Sequence, residues 1–504
     1  MTIDHVDRLE VRSTRSTAVA EGAAAEGAGP TATTRSWPDA GLGVLVAGFL
    51  AFMASRPLAD NSFLTHLATG RLMLEDGIPS TNPFLYTSSE FPVPSWLWSA
   101  VLAVVDLFGG GTGIRIMTAA LAGVLGLLVV RLTRPEGPAG GVAPPRTLLS
   151  VVLPAVCVVI TLIPFVNARP QLPGYLLLAL TVLVVKERRS PWWLVPVFGI
   201  WANVHGTWVY GLGVLVLVLV AQANDDRRVE LRQGLCVLWA AVGVVLGGLA
   251  QPDPFQSVVL PIEQFGDERG RQALSTYVEW QPAGFDHPLT WLLIAMGLVA
   301  VYGAVARRRW GVLVGALGLV AMGLSAGRLL PLAAITLVPW VAAGIAGLEG
   351  SDLPAPRIQK VLVGLGATFA FAGLLWAVAT PSYDLQRYPV AAVDWLESRG
   401  LAGQPDVKIA SHDFVGNYLD WRYEDRANTF VDDRGGADAM LDYALLLDRS
   451  DGWQKALERT DADVIVWSSD KPLVRELDEP EWYQAGEFGD FTVVCRSSIA
   501  DRCR

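Results

Sequence analysis

Apolar runs of near-spanning length recur along most of this chain, and no other feature constrains its fold as strongly. They lie near residues 39–58, 113–133, 147–166, 172–185, 191–204, 207–222, 233–250, 289–306, 310–326, 329–347 and 361–379. A hydrocarbon core of about 30 Å takes roughly 20 helical residues, so the shorter runs draw on their flanks. Only 17% of the 504 residues are charged and 52% are hydrophobic, where an average soluble domain is about 25% charged. A soluble enzyme and a disordered protein are thereby excluded. The expectation is an α-helical polytopic membrane protein with about 11 transmembrane helices.

The loop charges orient these runs. Residues 1–38, rich in Ala, Gly, Thr and Ser, read as a disordered tail whose Arg8, Arg12, Arg15 and Arg35 keep it cytoplasmic. The ambiguous stretch is 95–108, SWLWSAVLAVVDLF. Leaving it in the outer interface as a juxtamembrane helix makes the loops 134–146, 186–190, 223–232, 307–309 and 348–360 cytoplasmic, and these carry the Lys and Arg clusters. The transmembrane region is then 39–380, with outer juxtamembrane helices over 61–108. An odd number of spans leaves 381–504 outside the plasma membrane.

That last segment is charged and has soluble periodicity. VKIASHDF, ANTFVDD, ADVIVWSS and FTVVCRSS read as strands. AAVDWLESRG, AMLDYALLLDRSDGWQKALERT and PLVRELDE read as helices. The alternation predicts a small α/β domain with a mostly parallel sheet. Its acidic residues Asp413, Asp420, Asp432, Asp433 and Asp438 read as a solvated surface, with binding of an acceptor or cations as the alternative. Cys495 and Cys503 are available to pair there, while Cys157 and Cys236 sit in apolar runs as packing residues. A formal charge of −10 argues against a nucleic-acid partner.

With this threading, the unusual polar side chains near span ends gather on the outer face. Asp60 precedes a helix expected over 61–75; it either caps that helix or acts as a general base or metal ligand, and His66 follows in the same helix. The loop from Gly77 to Thr87 is held extended by Pro79 and Pro83. Asn167-Ala168-Arg169-Pro170-Gln171 puts a cation where the loop rule disfavours one; Arg169 either binds phosphate or pairs with a carboxylate such as Asp60. Asn203 and His205 enter a reversal between two runs. Glu279 beside Trp280, in the long loop 251–288, is a candidate sugar-binding pair, and Arg328 is another outer cation. No P-loop, G-x-S-x-G, H-E-x-x-H or C-x-x-C occurs.

A first span followed by an Asp, surface helices and later spans with outer polar clusters resembles the GT-C class of membrane glycosyltransferases. The resemblance covers roughly 40–380. It rests on Asp60, His66-Leu67, Thr69-Gly70-Arg71, Gly77-Ile78-Pro79, Asn82-Pro83-Phe84 and Tyr86-Thr87, with the runs at Asn167, Trp201, Glu279 and Arg328. The tail resembles the outer domain of such proteins, including Gly416-Asn417-Tyr418-Leu419, Trp421 and Asp432-Asp433-Arg434. The resemblance implies inverting transfer of a sugar from a polyprenyl-phosphate donor, within the membrane lipid, to a glycan, lipid or protein acceptor of the cell envelope. Asp60 is then the catalytic base, and Arg169 and Arg328 hold the donor phosphate. His66, Asn167, Gln171, Asn203, His205, Glu279 and Trp280 bind substrate. A divalent cation has no paired acidic motif to hold it, since Asn61 and Ser62 follow Asp60. The alternatives are a transporter or flippase of a lipid-linked substrate, and a non-catalytic membrane scaffold.

Overall fold

The computed structural model of the protein describes residues 40–134, 147–346, 355–477 and 480–504. The tail expected over 1–38 lies outside them. Each apolar run contains a helix: Ala40–Ala54, Trp96–Leu132, Leu148–Leu162, Gln171–Lys186, Leu194–Val204, Trp208–Asp226, Leu231–Leu249, Pro288–Ala306, Trp310–Ser325, Leu330–Ile345 and Pro356–Ala379. Among the described residues, six helical segments are long and apolar enough to cross a membrane. The expected count of eleven is corrected on that measure. Ala40–Ala54, Leu148–Leu162, Gln171–Lys186 and Trp310–Ser325 have 15 or 16 residues, about 22–24 Å at a helical rise of ~1.5 Å per residue. The chain is a membrane-embedded helical protein with a small C-terminal sheet.

The stretch 95–108 is helical from Trp96 and ends at a break at Gly110, where φ is 56° and ψ −161°, beyond which a second helix runs to Leu132. Glycine reaches that backbone conformation without a Cβ clash. Leu330–Ile345 is almost wholly buried, the central helix of the bundle. Pro356–Ala379 is the opposite case: it turns Val361, Leu365, Phe371, Leu375 and Val378 outward, a face suited to lipid. It meets Ala40–Ala54 at a glycine crossing. A Cβ on Gly48 would stand 1.9 Å from the carbonyl oxygen of Gly366, so only glycine permits that approach.

One end of the bundle is basic. Arg131 pairs with Glu187 at 2.6 Å, Arg228 with Glu230 at 2.7 Å and Arg309 with Asp225 at 3.2 Å. Gln171–Lys186 and Trp208–Asp226 run toward this end, and Leu194–Val204 and Trp310–Ser325 run away from it. Residues 167–171, 203–208 and 325–329 therefore meet at the other end.

The C-terminal residues pack against that other end. Their strands are β1 (Ile409–Ser411), β2 (Val464–Ser468), β3 (Trp482–Phe488) and β4 (Phe491–Arg496), in the order β1-β2-β4-β3. Only β1 and β2 pair in parallel, so the mostly parallel sheet is corrected: β4 returns from β3 as a hairpin and runs antiparallel to both neighbours. ANTFVDD contributes only bridges, Thr429 to Ile409 and to Leu85. The long helix expected from Ala439 is two, Ala437–Asp448 and Trp453–Thr460, with Arg449 and Gly452 left-handed between them. The described part of PLVRELDE, residues 472–477, holds a single 3-10 turn, Leu473–Arg475, in place of the expected helix. Cys495 and Cys503 form a disulfide, while Cys157 and Cys236 are buried and free.

One apolar core joins the two regions. Phe63, Leu67, Phe84 and Trp98 pack with Leu396, Val415, Tyr418 and Val493. Backbone bonds reinforce it: Thr429 N–H donates to the Phe84 carbonyl at 2.8 Å and Tyr86 N–H to the Thr429 carbonyl at 3.2 Å. Arg115, fully buried in the Trp96–Leu132 helix, donates to the carbonyls of Ser55, Trp376, Ala377, Thr380 and Pro381 at 2.8–3.2 Å. It thus places its charge at the C-terminal end of Pro356–Ala379, where the helix dipole favours a cation.

Candidate functional site

A cavity of about 460 Å³ lies between the C-terminal domain and the bundle end remote from the basic loops. Ser62–Asp76 supplies His66. The entry to Gln171–Lys186 supplies Arg169 and Gln171. His205 caps Leu194–Val204, and the loop before Pro288–Ala306 brings Glu279 and Trp280. Arg328 comes from the turn before Leu330–Ile345. The C-terminal domain closes it with Asp413, Asp433 and Arg434.

The charged groups are interlocked. Arg169 donates from Nε to Asp60 Oδ1 at 2.6 Å, from one terminal nitrogen to Glu279 Oε2 at 2.8 Å and from the other to Asn61 Oδ1 at 3.3 Å. Glu279 reaches Arg328 with its second oxygen at 3.4 Å, and the Arg328 guanidinium lies over the Trp280 ring at 4.2 Å. Burial opposes ionisation of Glu279, but Arg328 and Arg169 outweigh it and hold its pKa below the usual carboxylate range. Arg169 is correspondingly held above its ordinary value: the attraction of Asp60 and Glu279 exceeds the cost of burial.

Both histidines are held neutral. Burial, with Arg434 and Arg169 adding, lowers His66 to about 3; its Nδ1 lies 3.0 Å from the Ser99 hydroxyl. Burial and then Arg328 push His205 well below its ordinary value. Its Nδ1 is 2.7 Å from the Thr207 hydroxyl and its Nε2 is 3.5 Å from Arg328.

The acidic residues of the C-terminal domain are the largest surprise. Read as a solvated surface, they are mostly inside: Asp420 is 0% and Asp432 1% exposed, and Asp413 and Asp433 face the cavity. Only Asp438 remains solvated. Burial and the neighbouring Asp432 push Asp420 well above its ordinary value. Burial, with Asp432 adding, pushes Asp433 up to about 7. One oxygen of Asp433 is buried without a hydrogen-bond partner. Asp413 is also raised by burial and accepts a hydrogen bond from the Tyr443 hydroxyl at 3.1 Å.

Of the residues singled out by sequence, His66, Arg169, Gln171, His205, Glu279, Trp280 and Arg328 line this cavity. Three do not. Asp60 sits behind Arg169, its carboxylate bonded to that guanidinium, to Asn167 Nδ2 at 3.3 Å and to the Ser62 N–H at 3.0 Å. Asp60 and Asn167 line a separate, smaller hollow of about 270 Å³. Asn203 is a brace: it accepts from Trp96 Nε1 at 2.7 Å and donates to the carbonyls of Gly199 and Gly247 at 2.7 and 3.1 Å. Sequence reasoning gave Asp413 and Asp433 a binding role only as the alternative to a solvated surface, and missed Arg434 as a cavity residue. The available signal was the Asp432-Asp433-Arg434 run beside the apolar Phe430-Val431. Among the described residues, no three His, Cys, Asp or Glu side chains are grouped to hold a metal ion.

No known family model matches the chain, and no curated protein matches it.

Proposed function

We propose that this protein is a GT-C-type membrane glycosyltransferase that moves a sugar from a polyprenyl-phosphate donor to a hydroxyl of an extracytoplasmic glycan, lipid or protein, with inversion. The observation that carries the reading is the cavity itself. It opposes a carboxyl raised to about 7, Asp433, to the guanidinium groups of Arg169, Arg328 and Arg434 at one end of an apolar bundle. A base raised toward neutral pH and guanidinium donors within the same cavity for a departing phosphate are what glycosyl transfer from such a donor requires.

In the proposed step the acceptor oxygen attacks the anomeric carbon from the face opposite the phosphate. Asp433 takes the acceptor's proton. The bond from the anomeric carbon to the phosphate oxygen breaks, and that oxygen leaves with the electron pair toward the guanidinium groups. Asp60, bonded behind Arg169, orients that guanidinium, and the base role assigned to it by sequence passes to Asp433.

The basic loops at the other end favour a cytoplasmic position for that end and so support an outer position for the cavity. A disulfide in the C-terminal domain agrees with an oxidising compartment. The scaffold alternative predicts no convergence of polar groups, whereas Arg169, His205, Glu279 and Arg328 share one cavity.

The test is transfer by the purified protein in lipid nanodiscs, supplied with a panel of polyprenyl-phosphate sugars and cell-envelope acceptors. Radiolabel appearing in an acceptor supports the reading. Neither transfer nor donor cleavage with any sugar, from folded protein, rejects it.

A further inference from the structure

Two of the three guanidinium groups lining the cavity are engaged by protein. Arg169 is shared among Asp60, Asn61 and Glu279. Arg328 faces Glu279 and His205 and lies on Trp280. Arg434 differs. Its backbone N–H donates to Asp432 Oδ1 at 2.8 Å, which pins its main chain. Its guanidinium lies over Phe84 and Phe91, 5.4 and 5.1 Å from the ring centroids. The side chain is only 12% exposed, yet none of its three nitrogens has a hydrogen-bond partner among the described residues. The nearest carboxylate oxygen, of Asp432, is 3.8 Å from Nε, beyond hydrogen-bond reach.

Withdrawing a guanidinium from water is costly unless its donors are bonded. Aromatic faces attract the cation but accept no N–H bond of normal strength. The planar fork therefore has unused donors beside a cavity whose other two guanidinium groups are already matched by Asp60 and Glu279. The species that satisfies such a fork is an oxyanion with paired oxygens. Arg328 Nε, also buried and without a partner, is a second free donor on the same cavity.

We infer that Arg434 is the phosphate seat of this cavity, making the bidentate contact to the phosphate of a polyprenyl-linked ligand from the C-terminal domain, with Arg328 Nε as the second donor. The lipid-linked ligand is inferred from the glycosyltransferase reading; the anion contact stands on a fork that has no hydrogen-bond partner among the described residues. A lipid-linked phosphate and free inorganic phosphate present the same oxygens, so the experiment separates them.

Full-length protein in nanodiscs is titrated with polyprenyl monophosphate, inorganic phosphate and phosphatidylglycerol. Wild type is compared with Arg434→Gln and Arg434→Lys, and Arg459→Gln, on a remote helix, serves as control. The expected result is polyprenyl monophosphate binding weakened by about 10–100-fold in Arg434→Gln, the loss expected for charge-assisted bonds. Arg434→Lys recovers part of the loss, and Arg459→Gln binds as wild type. Inorganic phosphate competing while phosphatidylglycerol does not assigns the contact to the phosphate group. Equal binding of polyprenyl monophosphate by wild type and folded Arg434→Gln overturns the inference, as does inorganic phosphate binding alone. Should Arg434→Gln not fold, wild-type protein is labelled with hydroxyphenylglyoxal. Arg434 is expected to take label in the ligand-free protein and to be protected by polyprenyl monophosphate; an Arg434 that takes no label without ligand, or is unprotected at saturation, overturns the inference. Arg434-dependent binding without any sugar transfer leaves this site standing and rejects the enzyme reading. Transfer undiminished in Arg434→Gln does the reverse.

Discussion

Arg169 Nε donates to Asp60 Oδ1 at 2.6 Å, and Asp60 stands behind that guanidinium rather than on the cavity wall. A carboxylate whose oxygens are taken by a guanidinium, an amide and a backbone N–H is poorly placed to receive a proton from an acceptor. It is well placed to fix that guanidinium.

Replacing Asp60 by Asn therefore lowers transfer without removing it, by about 10–100-fold, the cost of one charge-assisted bond. The pH dependence of the remaining activity keeps its wild-type midpoint. Loss of all activity, or a displaced midpoint, returns the base role to Asp60. Wild type and variant are assayed for kcat/KM across the neutral pH range, on both sides of the expected midpoint.

Asp433→Asn removes the proposed base. Wild-type activity rises with pH as the carboxyl ionises, with a midpoint near 7 set by burial and Asp432. The Asn variant is expected to lose activity by about 10²–10⁴-fold, the usual worth of a general base, and to show no rise in that window. A rise of the same midpoint in Asp433→Asn assigns the titration to another group.

The membrane class was legible because apolar runs are long, and each became a helix. Span lengths were not, because ends are set by local breaks such as Pro170 before Gln171 and the extended His205 after Val204. Most of the cavity was also legible: a cation or carboxylate close to the end of an apolar run is rare enough to be noticed. Asn203 shows the limit. An Asn between Trp201 and His205 reads equally as ligand or brace, and only three-dimensional neighbours decide. The Asp432–Arg434 wall was hidden for the opposite reason: acidic residues in a polar segment ordinarily face water, and Arg434 is covered here by Phe84 and Phe91 from another part of the chain.

Asn203→Leu tests the brace. It leaves the Trp96 indole and two carbonyls without their partner, which costs about 1–3 kcal/mol. Thermal stability is expected to fall while the donor KM stays unchanged. A raised KM at full stability restores Asn203 as a substrate contact.

His66 offers a pH-dependent test of the neutral wall. Burial with Arg434 and Arg169 nearby lowers its folded pKa to about 3, whereas an unfolded histidine titrates near 6.5. The unfolded state then binds the extra proton first. Stability from neutral His66 is fully present above about pH 6.5 and is lost as pH falls toward 3, with a limiting slope of about 1.4 kcal/mol per pH unit. His66→Gln keeps an amide within reach of Ser99 but has nothing to titrate. Its unfolding curves in detergent are expected to lose less stability than wild type as the pH falls from about 6.5 to about 4.5. His412 contributes the same acid-side loss to both proteins and cancels in the difference, whereas His205, lowered by burial, Arg328 and also His66, loses less in the variant and adds to the difference in the same direction. Parallel curves for the two proteins mean that His66 takes up its proton in the folded state as readily as in the unfolded one, and the cationic, water-poor character assigned to that wall of the cavity is then wrong.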